Sequence, residues 1–139
     1  MKKKNKGFTM VELLAVITIM GLLAMVAIPA VTKYLIKSRT TSLETMVKST
    51  YEAAENYVMN NNIIVRSGDP AYVISADTLV QEQYLEELID PAGNNKRCDT
   101  NANSKVEVTY DTASAGIISY KFKVTIVCPS KTLTKTFPE

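Results

Sequence analysis

Glu12 is the only charged residue in the run FTMVELLAVITIMGLLAMVAIPAV, residues 8–31. A carboxylate at membrane depth is costly and is normally kept for a task, with a partner. Histidine is absent, which excludes serine–histidine and cysteine–histidine nucleophile pairs and the usual zinc sites. The two cysteines, Cys98 and Cys128, read as a disulfide if the chain beyond the apolar run lies outside the cytoplasm, and otherwise as two buried thiols. As a bridge they would close a loop of about 30 residues and stabilise the fold by ~3–4 kcal/mol. Asp90, Asn94, Asn95, Asp99, Asn101 and Asn103 form a loop rich in oxygen ligands. Residues 99–104 partly match the start of a calcium loop, but Ser104 stands where its glycine belongs and Tyr110 where its glutamate belongs. A solvated surface loop is the plainer reading. Lys121 and Lys123 are a weak patch for DNA phosphates, and a solvated strand face explains them better. Tyr51, Tyr57, Tyr84, Tyr110 and Tyr120 fall mostly on apolar faces and read as core. No catalytic constellation or cofactor motif emerges, so the chain reads as a protein that is not an enzyme.

These residues need elements to carry them. At 139 residues the chain suggests one domain with a small core. The net charge of +2 is uneven: Lys2, Lys3, Lys4 and Lys6 precede Gly7, and without them twelve basic groups face fourteen acidic ones. A basic tag before an apolar segment orients a membrane span with the lysines in the cytoplasm. Residues 8–31 are long enough to cross a bilayer as a helix, which takes about 20. A removable secretory signal fits poorly, because its apolar region spans roughly 7–15 residues and ends in a cleavage site that is missing here.

Helical periodicity continues past the apolar run. Leu43, Met46, Val47, Tyr51, Ala54, Tyr57 and Val58 trace one face, with Glu44, Lys48, Glu52, Glu55 and Asn56 on the other. The two segments predict one helix from about residue 8 to about residue 61, roughly 80 Å long, stopped by Asn60, Asn61 and Asn62. Gly21 and Pro29 interrupt it: proline removes a backbone bond, and glycine weakens a helix by about 1 kcal/mol. A mixed stretch, IIVRSGDPAYVI, follows, with a turn at Ser67, Gly68, Asp69 and Pro70. Ser75 or Asp77 predicts the N-cap of a short helix reaching about Ile89, stopped by Asp90 and Pro91. Residues 90–104 read as a polar loop. KVEVTY and IISYKFKVTIVC alternate with period two and predict two strands joined by a hairpin turn at DTASAG. The tail adds a third strand through Leu133 and Phe137. The fold class is α+β: a long N-terminal helix, membrane-spanning and then amphipathic, packed against a small antiparallel sheet head.

KKKNKGFTMVELLAVITIMGLLAMVAIP resembles the class III signal of type IV pilins and pseudopilins. That pattern is a short basic leader, a Gly-Phe junction and an acid at the fifth place from the phenylalanine, inside an apolar helix. Gly7, Phe8 and Glu12 match it, and Met10 stands where leucine is commoner. The likeness covers roughly residues 1–35; the head carries no specific motif. The resemblance implies that a prepilin peptidase removes leader residues 1–7 by cutting between Gly7 and Phe8, and methylates the new Phe8 amine. It divides the mature chain into a helix over 8–61, with 8–31 as membrane span and filament core, and an α+β head over 62–139. It implies a single-pass chain in the cytoplasmic membrane, its N-terminus inside. An assembly platform with its ATPase machinery then lifts the chain, alongside minor pilins, into a filament at the cell surface. There Glu12 would neutralise the Phe8 amine of a neighbouring subunit, and Gly21 and Pro29 would mark an unwound, extensible stretch. Because tip-initiating minor pilins often lack that acid, Glu12 favours a subunit that packs against many copies of itself. Three uses compete: a pilus for adhesion or twitching motility, a competence pseudopilus for DNA uptake, and a type II secretion pseudopilus. The head is larger than the competence type usually carries, which favours the pilus. From another class, a monomeric single-pass protein with an extracytoplasmic binding head predicts that Met1 and the lysines stay attached.

Overall fold

The computed structural model describes residues 7–93, 95–101, 103–111 and 119–138. The chain divides into two compact units, Met1–Ser38 and Arg39–Glu139. One helix, α1 (Met10–Asn60), contributes to both.

In the first unit α1 passes through Gly21 and Pro29 without a break. Pro29 has no N–H, so the bond to the carbonyl four residues earlier is lost, yet the helix continues. The Thr32 hydroxyl donates to the carbonyls of Ile28 (3.2 Å) and Pro29 (3.0 Å), and the Thr18 hydroxyl to those of Leu14 (3.1 Å) and Ala15 (2.8 Å). Both hydroxyls are thereby satisfied by their own backbone, which leaves the surface between Leu13 and Val31 almost wholly apolar. Every described side chain before Arg39 is exposed.

The second unit is built on the amphipathic half of α1. Leu43, Val47, Thr50, Ala53, Ala54 and Val58 are buried, matching the predicted stripe and adding Thr50 and Ala53. Thr50 can be buried because its hydroxyl donates to the Met46 carbonyl at 2.8 Å. This face covers an antiparallel sheet in the order β1-β2-β3-β4, formed by β1 (Tyr72–Ser75), β2 (Lys105–Asp111), β3 (Ser119–Val127) and β4 (Thr132–Phe137). The register sets Ile74 beside Val106, Val106 beside Val124, and Val108 beside Phe122, so one face is apolar across β1, β2 and β3, and β4 adds Leu133 and Phe137 to it on either side of Lys135. Tyr51 meets the Phe122 ring edge-on at 5.3 Å and stacks on Phe137 at 4.6 Å. The tail strand therefore closes the core. The predicted DTASAG turn and the strand residues Ile117 and Ile118 lie largely outside the described residues; Asp111 ends β2.

Both helices end in the same way. Asn62 adopts φ 52°, its N–H bonds the Met59 carbonyl, and the Ile63 N–H bonds that of Val58. The second helix, α2 (Ala76–Gln81), takes Ser75 as N-cap, whose hydroxyl oxygen accepts the Thr78 N–H at 3.1 Å. It ends when Gln83 turns to φ 62° and the Tyr84 N–H bonds the Leu79 carbonyl. Here the structure corrects the sequence, which predicts a helix reaching about Ile89. Leu79, Val80, Tyr84, Leu85 and Leu88 have helical spacing, but the left-handed Gln83 turns the chain back toward α1. Tyr84 then meets Tyr57 at 5.4 Å and Leu88 is buried. Tertiary packing overrides a weak local preference. Strand β1 emerges from the stretch read as mixed. Only Ile74 of its four residues is fully buried, too little alternation to mark a strand.

Cys98 and Cys128 form a disulfide. The polar loop that it anchors is stitched to its surroundings. The Cys98 N–H bonds the Leu88 carbonyl, the Asp99 N–H that of Val127, and the Asp77 N–H that of Thr100. Ser104 is buried and its hydroxyl oxygen accepts the Val127 N–H at 2.9 Å.

Candidate functional site

Gly7, Phe8 and Thr9 precede α1 in non-helical backbone. Phe8 is 83% exposed, and a Cβ added at Gly7 would meet nothing within 4 Å. The junction between them is thus open. Just beyond it, the helix start is locked by a reciprocal pair. The Glu12 carboxylate accepts the Thr9 N–H and the Thr9 hydroxyl, each at 3.0 Å on Oε2, while the Glu12 N–H donates to the Thr9 hydroxyl oxygen at 3.3 Å. This is a capping box, which satisfies backbone donors that no helical partner can reach. Negative charge in the first turn also suits the positive end of the helix dipole. The box holds the carboxylate back toward the chain start, one residue from Phe8. Sequence reasoning singled out Glu12 as a lone acid and missed Thr9, although the spacing Thr9-Met10-Val11-Glu12 carries the capping signature.

Beyond the box, α1 is long and apolar enough to cross a membrane. Gly21 has open space where a Cβ would stand, so nothing among the described residues requires a glycine there.

The candidate sites in the head are engaged internally. Lys121 pairs with Asp111 at 3.2 Å, and Lys123 and Lys105 each reach Glu107 at 3.0 Å. Lys105 and then Lys123 hold the Glu107 carboxyl below its ordinary value. These pairs offset the positive charge that DNA phosphates would need. Asp90 is 2% exposed. Its carboxylate accepts the Ser130 hydroxyl (2.6 Å), the Ser130 N–H (2.8 Å) and the Ala92 N–H (2.9 Å). Burial pushes the Asp90 carboxyl up, but those hydrogen bonds and the charge of Arg39 outweigh it, and the net direction is down. Gly93 is required beside it, since a Cβ there would come within 2.8 Å of Oδ2. The Asp99 carboxylate accepts the Asn101 N–H at 3.0 Å and the Asn103 side-chain amide at 2.5 Å, so Asn103 turns its donor toward the acid. Asn94 lies outside the described residues. Among the described residues no three acidic or cysteine side chains cluster to hold a metal ion.

An open Gly-Phe junction, a capped acid and an exposed apolar helix define a class: chains whose N-terminus is prepared for a lipid or helical surrounding. Residues 2–28 match the family model of the prokaryotic N-terminal methylation motif. The chain is similar to the type IV major pilin protein PilE of Neisseria gonorrhoeae, 31% identical over 88 residues, 63% of this chain and 52% of that protein. It is 37% identical over 68 residues to a fimbrial protein of Pseudomonas aeruginosa, 49% of this chain and 44% of that one. It is 32% identical over 120 residues to fimbrial protein EcpB of Eikenella corrodens, 86% of this chain and 65% of that one. The chain spans about half the length of the first two relatives. No solved structure matches it significantly. The resemblance read from the N-terminus is borne out: the chain carries a methylation motif, a pilin-like α+β fold and likeness to type IV pilins.

Proposed function

We propose that this chain is a structural subunit of a type IV pilus or a pilus-like filament, polymerised through α1. The observation that carries the reading is the methylation motif lying over an open Gly7–Phe8 junction and an exposed apolar helix. In this reading residues 1–7 are a leader, a prepilin peptidase cuts after Gly7, and Phe8 becomes the methylated N-terminus. The chain waits in the cytoplasmic membrane, N-terminus inside, until the assembly platform and its ATPase lift it, with minor pilins, to the cell surface. Glu12 then neutralises the Phe8 amine of a neighbour. Each charge is costly to bury alone, so the pair favours one axial register over slipped ones. A surface pilus for adhesion, twitching or DNA uptake is the leading use, and a competence or secretion pseudopilus the alternative. We assign the chain no catalytic role.

The test is intact mass and N-terminal sequence, taken separately from sheared extracellular material and from membranes. N-methylated Phe8 in the sheared fraction is the expected result, whereas the same processed chain confined to membranes would favour a pseudopilin. A chain keeping Met1 in competent cells would overturn the reading and leave a single-pass membrane anchor.

A further inference from the structure

We propose that a groove in the head, between the amphipathic half of α1 and the loop after α2, receives Tyr34, Lys33 and Lys37 of a second copy of this chain. The proposal rests on the filament reading above. The groove has a volume of about 540 Å³; Met46, Leu85 and Ile89 are among its apolar lining, and Glu52, Glu86 and Glu87 among its polar lining. Met46 and Leu85 are half-buried against the core and Ile89 is exposed. The acids are only partly answered within the chain: Glu87 meets Arg97 at 3.0 Å, and Glu52 approaches Lys48 at 3.9 Å, all four side chains being at least half exposed. Such pairs are weak and exchangeable. A slot whose walls combine apolar and acidic side chains suits an aromatic side chain flanked by cations, and its size is in the range of ligand-binding sites.

The same sequence presents that counterpart. On α1 Lys37 lies four residues after Lys33 and three after Tyr34, so the three fall within one side of the helix, with Lys37 between the other two. All three side chains are exposed. A helix face laid into a groove with apolar lining is a recurring mode of recognition, and the charge match with the glutamates favours it over like-charged neighbours. Just beyond an apolar span, tyrosine and lysine also suit the membrane interface. On leaving the bilayer this face would exchange lipid headgroups for the glutamates of another copy.

The experiment uses the full chain in cells with a working assembly machinery. Three forms are compared with the parent: Glu52→Lys with Glu86→Lys, Lys33→Glu with Lys37→Glu, and all four together. We expect each pair to lower the yield of sheared filaments at least about tenfold, while oxidised monomer accumulates in membranes. The fourfold form, complementary again, recovers to within about threefold of the parent. A photo-crosslinking residue at position 34 should join one copy to peptides of the groove in another. Wild-type yield from the glutamate pair, or no recovery in the fourfold form, would overturn the proposal, as would crosslinks confined to lipid. Failure of the parent chain itself to form filaments overturns the filament reading instead.

Discussion

The two ends of α1 share one helix and obey opposite rules. Past residue 42 most of its apolar side chains turn to one side and are buried or half-buried against a sheet of their own chain, Met59 excepted. Before residue 39 they point all round and are exposed among the described residues. A head that buries its stripe is complete as a monomer. An exposed apolar rod is stable only in a solvent of lipid or of other rods. The boundary between self-sufficient and dependent structure therefore falls inside one helix, at the division between Ser38 and Arg39.

That separation can be attacked from both sides, beginning with the largest effect. Glu12→Ala should abolish filaments while leaving processing after Gly7 and the melting of the head unchanged. Normal filaments from this variant would remove the role given to Glu12, and an altered head melt would show that the two regions are not independent. Replacing Cys98 and Cys128 together by serine should destabilise the head by ~3–4 kcal/mol. Thermal melting of the full chain in detergent, followed by tyrosine circular dichroism, checks this; an unchanged melt would make the bridge dispensable. Asp90→Asn removes a charged acceptor of three hydrogen bonds and should cost about 1.5–3 kcal/mol. Because the folded carboxyl lies below its unfolded value of about 3.9, its contribution is full above that value and is lost as pH falls through the lower folded one. The parent head should thus weaken in acid below about pH 4, and the asparagine form should show less of that slope. Equal slopes would place the acid sensitivity elsewhere.

The two regions also differ in how much of them the sequence discloses. The N-terminal segment was legible because its constraints are chemical and local. A basic tag, a Gly-Phe junction, one acid and an unbroken apolar run seldom coincide by chance, and each has few physical causes. The amphipathic stripe, β2 and β3 were legible from period alone, and the tail strand only from Leu133 and Phe137. Four features went unread. Helix α2 stops at Gln81 because Gln83 takes a left-handed turn that no glycine announces. Strand β1 buries one residue in full and leaves almost no pattern. The Thr9–Glu12 box was visible in the spacing but was hidden by the more conspicuous question of a charge in an apolar run. The Asp90 network joins residues 40 apart, a separation at which sequence offers no pattern to read.

The burial of the disulfide has a consequence for its persistence. Cys98 and Cys128 are only 3% and 6% exposed. Reduction needs a thiolate in line with the bond, so access limits the rate as much as chemistry does. An attacking reductant must wait for the head to open. Durability in a reducing milieu is then a matter of how often these strands part: the bridge slows the opening, and the closed fold shields the bridge.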